Sequence, residues 1–465
     1  MEEDPFDFES DILLATSPVV APKRRKKVIG LDDLLADHHE EKNKAVERER
    51  KLARGKSRSI IDHDEDEEDG RVAKLSKYVN ECHEKMTQLS DEDDVFNWGL
   101  LVFGEQKAFP SYAFSNVHCC SLFHSIMSHE VNTLVELSSE SGEIFFEGLL
   151  ADGWLLTSVC KCGEVDESIA KWTFHLMLYS SKEVLRRAAV DFWCAILLLK
   201  NEDGSKSLRI DWLPGYPELK GALERYGFLF DEPTQGSSDI EMDVEDSESM
   251  GPPHNIRAWI KYVAACSQAR DMHVIFSPSD STELIAVIIC LLLDRQLIGI
   301  TIDLSECLLA LVNFFTDEEW RSYCTVAARS VALRVPKDIN SLRAVECIPA
   351  VCGRTKLLRS TVAFQVLLSY FDEAEDEVEL MRQLSLFNLK DKDCDLFKIY
   401  IFMVLTENWF LYNSVPKHKP LLNEMWGLYL RNCSCQINIT DTRSYASKVR
   451  SRASYLLQGT SDRLL

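Results

Sequence analysis

Residues Leu284 to Leu293 form an unbroken run of ten apolar residues, closed by Asp294-Arg295. A membrane span needs roughly 20 such residues, so the run reads as a buried core helix. A helix that is apolar all round has no solvent face and must be wrapped by other elements. Apolar residues recur at helical spacing along most of the chain. The stripe Val72, Leu75, Val79, Cys82 and Met86 opens the series, and helices are expected at about 116–137, 144–157, 166–179 and 182–200. A second series is expected at about 254–270, 280–298, 302–315, 317–335, 355–371, 376–388, 394–412, 418–431 and 441–458. Two starts carry capping signals: Thr316-Asp317-Glu318-Glu319 is a capping box, and Asp280-Ser281-Thr282-Glu283 serves the most apolar helix.

No run of alternating strands appears, and Leu208 to Trp212 is too short to change the class. The expectation is an all-α protein. It is either an irregular α-solenoid of armadillo or HEAT character or a compact multilayer helical domain. No strict period of about 34 or 40 residues is visible, so any repeat is irregular. Punctuation falls at Lys200-Asn201-Glu202-Asp203-Gly204 and Leu213-Pro214-Gly215-Tyr216-Pro217.

Charge divides the chain further. The formal net charge is −23. Residues 1–70 hold 20 acids and 13 bases, and residues 231–250 hold 8 acids and no base. About two-thirds of the excess thus lies in two polar segments, and the folded part is mildly acidic. That balance argues against coating nucleic acid through bulk charge. The resulting division is a disordered tail at 1–30, a charged partner-binding helix at 31–58, and an acidic linker at 59–71. A helical lobe at 72–230, a disordered acidic loop at 231–253 and a second lobe at 254–465 follow.

The fifteen cysteines have apolar neighbours, as in Phe192-Trp193-Cys194-Ala195-Ile196, and no basic n-region opens the chain at Met1-Glu2-Glu3-Asp4. Both features point to reduced, buried thiols in a reducing compartment. Cys160-Lys161-Cys162 and Cys433-Ser434-Cys435 are half-sites for zinc at most, and His118-Cys119-Cys120 with His124 and His129 sits among core residues. The structural role is favoured at each, and no metal or cofactor is assigned. The chain has no GxSxG elbow, phosphate loop, GxGxxG or HExxH motif, so no catalytic residue is assigned and a non-enzyme is expected.

The amino-terminal segment carries recognition signals. Pro22 precedes Lys23, Arg24, Arg25, Lys26 and Lys27, a basic run suited to the acidic grooves of nuclear import receptors. Val28, Ile29, Leu31, Asp32 and Asp33 match the form of a SUMO-interacting motif, which adds a strand to the modifier's sheet edge. The competing reading is that Leu31 begins the helix. That helix shows Leu31, Leu34 and Leu35 and then loses its apolar stripe, so those three leucines are the candidate partner-binding residues. Asp4-Pro5-Phe6 hints at a trafficking motif. At the other end, Arg443, Lys448, Arg450 and Arg452 make residues 441–465 locally basic, a candidate phosphate contact or a solvated cap to the helices.

A tail with an import-like run, a short LDDLL-type helix (Gly30 to Lys42) and a large divergent helical domain resembles the CANIN-domain proteins. These are accessory subunits of the SMC five–six genome-maintenance complex, of the Nse-five/Nse-six loader class. The resemblance implies a non-enzymatic nuclear scaffold. It would bind a second helical accessory subunit and the SMC heads or coiled coils, with weak or indirect DNA contact and no membrane. The alternative expectation is a cytoplasmic helical adaptor or regulatory subunit in trafficking or signalling. An enzyme with an unrecognised helical site is the remaining one.

Overall fold

A computed structural model describes residues 98–112, 122, 139–199, 208–230, 252–371, 374, 376–412 and 420–461. These fall in one compact unit, Glu84–Leu465. The import run, the leucines at 31, 34 and 35, the SUMO-type motif, the stripe at 72–86 and the acidic loop at 231–250 lie outside the described residues.

The protein is all-α. Among the described residues there are fifteen α-helices. The first five are α1 (Ser139–Ala151), α2 (Trp154–Cys162), α3 (Glu167–Tyr179), α4 (Glu183–Leu197) and α5 (Tyr216–Arg225). Then come α6 (Ile256–Gln268), α7 (Pro278–Leu293), α8 (Thr301–Phe314), α9 (Asp317–Arg334) and α10 (Ile339–Glu346). The last five are α11 (Gly353–Tyr370), α12 (Glu377–Ser385), α13 (Leu396–Tyr412), α14 (Pro420–Gln436) and α15 (Ala446–Ser461). Among the described residues the two named strands, β1 (Glu164–Val165) and β2 (Arg209–Ile210), form a parallel two-residue pairing.

The helices stack in rows. In the first, α4 packs on α6 and α6 on α8. All three run the same way. Asn255, at the start of α6, donates its side-chain amide to the Ser180 carbonyl just before α4, and Arg257 pairs with Asp303 at the starts of α6 and α8 (2.9 Å). At the far end Arg270 donates to the Phe314 carbonyl. Parallel neighbours joined by a returning helix are the signature of a solenoid. The second row passes from α7 to α9, α11, α13 and α15. Its directions do not alternate regularly. Arg354 at Asp317 and Thr361 at Cys324 set α9 and α11 parallel, whereas Ser360 at the Trp409 carbonyl and Tyr370 at Phe402 set α11 and α13 antiparallel. The stack is therefore an irregular one.

The ten-residue apolar run is the interior of α7, every residue from Leu284 to Leu293 being buried or half-buried. It packs on α8, α9 and α10 at once, which is why it has no polar face. The stretch Arg295–Phe314 is long and apolar enough by composition to cross a membrane. Here it is a 3-10 turn (Arg295–Ile300) followed by α8, a helix packed on α6 and α7 and tied by Asp303 to Arg257.

Helices on both sides of residues 231–251 share one core. Trp193 of α4 meets Tyr262 of α6 edge-on (5.6 Å), and the Trp259 indole N–H donates to the Leu219 carbonyl of α5 (3.1 Å). Cation-bearing side chains tie successive helices. Arg354 of α11 donates to Asp317 (2.6 Å) and to the Phe315 carbonyl, satisfying groups left open between the end of α8 and the start of α9.

Several elements differ from the expectation. The helix expected at 144–157 is two helices, broken at Asp152-Gly153, where Gly153 has φ +75°. The helix expected at 280–298 ends at Leu293. Its cap is Ser277, whose Oγ accepts from the Asp280 N–H (3.1 Å), with Pro278 at the first helical position, so the signal at 280–283 lies one turn too late. The capping box at Thr316 and Glu319 is present as expected. Two short helices are absent from the expected series: α5, which begins inside the Pro-Gly punctuation at 213–217, and α10.

Residues 98–107 are a strap laid over the helices. The Gly99 N–H donates to Asn340 Oδ1 (2.7 Å), the Leu100 N–H to the Leu293 carbonyl (3.0 Å) and the Lys107 N–H to the Arg225 carbonyl (2.8 Å). Gly104 N–H and Leu229 N–H complete a short antiparallel pairing with Gly227 and Val102. The guanidinium groups of Arg295 (5.8 Å) and Arg343 (5.5 Å) both lie over the Trp98 ring.

Candidate interaction surfaces

The basic carboxy-terminal segment is partly committed to its own fold. Tyr445 starts α15 from the left-handed region (φ 62°), its ring against Phe397 (4.7 Å) and Tyr400 (5.5 Å). That turn swings Arg443 inward. Its guanidinium donates to both Asp441 oxygens and to the carbonyls of Leu389 and Asp391. The same bonds hold the Asp441 carboxyl below its ordinary range. Arg452 pairs with Glu407 of α13 (2.5 Å). The Lys448 ammonium lies over the Tyr445 ring (4.6 Å), and Arg450 is half-buried. Of the four candidate phosphate contacts, two are thus braces between α15 and its neighbours.

A second cluster was not read from the sequence. The β1–β2 pairing sets Glu164 opposite Arg209, and it gathers Glu164, Asp166 and Asp211 so that one oxygen of each lies within 4.8 Å of the others. Residues 164 and 211 are far apart in the chain, so spacing gave no signal. Asp211 already pairs with Arg209 (2.9 Å), and Asp166 accepts from the Leu122 N–H (3.4 Å).

All twelve described cysteines are free thiols. Among the described residues the one group with metal-ligand spacing is that acidic trio, and it includes neither Cys160-Lys161-Cys162 nor Cys433-Ser434-Cys435. Burial pushes the Cys194 thiol up to about 11 and the Cys324 thiol to about 12, values of inert core cysteines. Cys352, the N-cap of α11, differs. Burial works to raise it, but hydrogen bonds from Thr355 and the neighbouring backbone outweigh burial and lower it.

The remaining feature is apolar exposure. Most charged braces sit between helices, whereas α14 presents Leu421 and Leu428 to solvent, 54% and 48% exposed. No protein-family model and no characterised protein matches this chain at a significant level.

Proposed function

We propose that this chain is a non-enzymatic nuclear scaffold, a subunit that binds other proteins in a chromosome-maintenance or DNA-repair assembly of the SMC five–six type. The observation that carries the reading is the irregular helix stack, with parallel α4, α6 and α8 in one row and α7, α9, α11 and α13 in a second. Such stacks offer long surfaces to protein partners. Two sequence features support it: the basic run at Lys23 to Lys27, and the leucine-bearing segment that follows, whose sequence predicts a helix with too little apolar surface to fold alone. Direct DNA contact falls to Arg450, since Arg443 and Arg452 brace the helices and Lys448 lies over the Tyr445 ring. The test is affinity capture of the tagged chain from nuclei, read by mass spectrometry. Recovery of SMC-type subunits supports the proposal. Steady cytoplasmic residence under export block, with trafficking or signalling proteins recovered, replaces it with the adaptor reading.

A further inference from the structure

The exposed side of α14 repeats with a coiled-coil period. Leu421, Met425, Leu428, Asn432 and Cys435 are spaced 4, 3, 4 and 3 residues apart, the alternation of heptad d and a positions. The helix buries Leu422, Trp426, Tyr429, Leu430 and Cys433 against its own chain. Its stripe borders that face, with Met425 partly buried against the same core. Leu421 and Leu428 are about half exposed, Cys435 is exposed, and Met425 and Asn432 are half-buried. A helix already anchored by one face therefore offers a second apolar seam some 21 Å long.

The charges beside the seam indicate what covers it. The flanking g positions are Glu424 and Arg431, both exposed, one acid and one base seven residues apart. Among the described residues neither side chain has an ion-pair partner. The e positions on the opposite flank, Leu422 and Tyr429, are buried in the chain itself. In a parallel helix pair each g position faces an e position, which here is unreachable. In an antiparallel pair g faces g. When two copies of α14 are laid antiparallel, each Met425 meets the other copy's Leu428. In the same register each Glu424 faces the other copy's Arg431. The charge pattern is self-complementary under a two-fold axis, as an isologous interface requires.

We infer that α14 is a self-association seam: two copies of this chain pair α14 against α14, antiparallel, about an axis between Met425 and Leu428. The contact covers only two heptads and is smaller than the roughly 1,200 Å² of a stable standard interface. The dimer therefore forms and dissociates with concentration.

Sedimentation equilibrium of the full chain over roughly 5–200 µM, a range suited to a small interface, tests this. The expected mass rises from 53.1 kDa toward twice that value. Leu428→Glu, at a half-exposed position, should hold the chain at monomer mass with its melting unchanged. Glu424→Arg and Arg431→Glu each set like charges face to face twice and should weaken the dimer roughly tenfold. Mixing the two single variants sets a flank with two bases against a flank with two acids and should restore association, as should the double swap in one chain. A wild-type chain that stays monomeric throughout overturns the proposal and leaves the seam to another protein. Charge variants that associate like wild type, or a mixture that fails to recover, overturn the antiparallel register.

Discussion

Arg270 grips Glu319 with two parallel N–H···O bonds of 2.8 Å each, and the same carboxylate accepts the Thr316 N–H that opens α9. Hydrogen bonds from Arg270, and then from the Thr316 backbone, hold the Glu319 carboxyl down to about 2. Arg270 also lies over the Phe314 ring (4.3 Å). One arginine thus joins the ends of α6 and α8 to the start of α9.

The sign of the resulting pH dependence follows from that depression. A carboxyl held below its ordinary 4.5 contributes stability that is complete above that value and is lost as pH falls toward about 2. Glu319→Gln should cost on the order of 1–2 kcal/mol at neutral pH, a partly solvated pair being worth less than a buried one. The gap between wild type and variant should narrow in urea titrations at about pH 3. A gap that is constant with pH would show that the carboxylate charge contributes nothing.

Gly227 has φ +82°, and an added Cβ would stand 2.6 Å from the Glu105 carbonyl oxygen and 2.8 Å from that of Gly104. Backbone atoms of the strap cannot yield as a flexible side chain does. Gly227→Ala should cost at least about 2 kcal/mol, and Gly221→Ala, where nothing lies within 4 Å, should be nearly neutral or stabilising. Equal melting temperatures for the two variants would mean that the strap does not press on residue 227.

Trp98→Ala removes the ring that Arg295 and Arg343 both contact. Each cation–π contact contributes about 0.5–1 kcal/mol. Hydrogen exchange should quicken at Gly99, Leu100 and Lys107, whose N–H groups bond across to the helices. Protection of α11 and α13 should hold. Slow exchange retained throughout 98–107 would show the strap held by its backbone bonds alone.

Replacing Lys23, Arg24, Arg25, Lys26 and Lys27 by Ala should move the chain to the cytoplasm with unchanged melting. Leu31, Leu34 and Leu35 to Ala should reduce partner recovery, anchors of this type carrying about 1–2 kcal/mol each. An unaltered nuclear signal refutes the import assignment, and a triple-leucine variant that keeps its partners but melts earlier makes those leucines an internal brace.

Local signals were legible in the sequence and distant ones were not. The apolar run at 284–293 and the box at Thr316–Glu319 report on themselves, because neighbours within one turn decide both. The break at Asp152-Gly153 was hidden because apolar periodicity continues across it and only the left-handed turn at Gly153 interrupts the helix. The α10 helix has eight residues, too short for its period to stand out. Of the surfaces, the basic character of residues 441–465 was plain, but the inward turn of Arg443 depends on carbonyls more than fifty residues upstream. The acidic trio depends on a strand pairing across forty-five residues.

The strap has a consequence for how the chain emerges from the ribosome. Gly99 bonds to Asn340, 241 residues later in the chain. At about 5–20 residues per second, roughly 12–48 s pass between synthesis of the two. Trp98 lacks both arginines until Arg295 is made, and it lacks Arg343 for the whole interval. Nascent chains arrested before residue 340 should therefore carry an undocked tryptophan that is open to chaperones and quenchers, and arrest some 40 residues beyond it, enough to clear the exit tunnel, should close it.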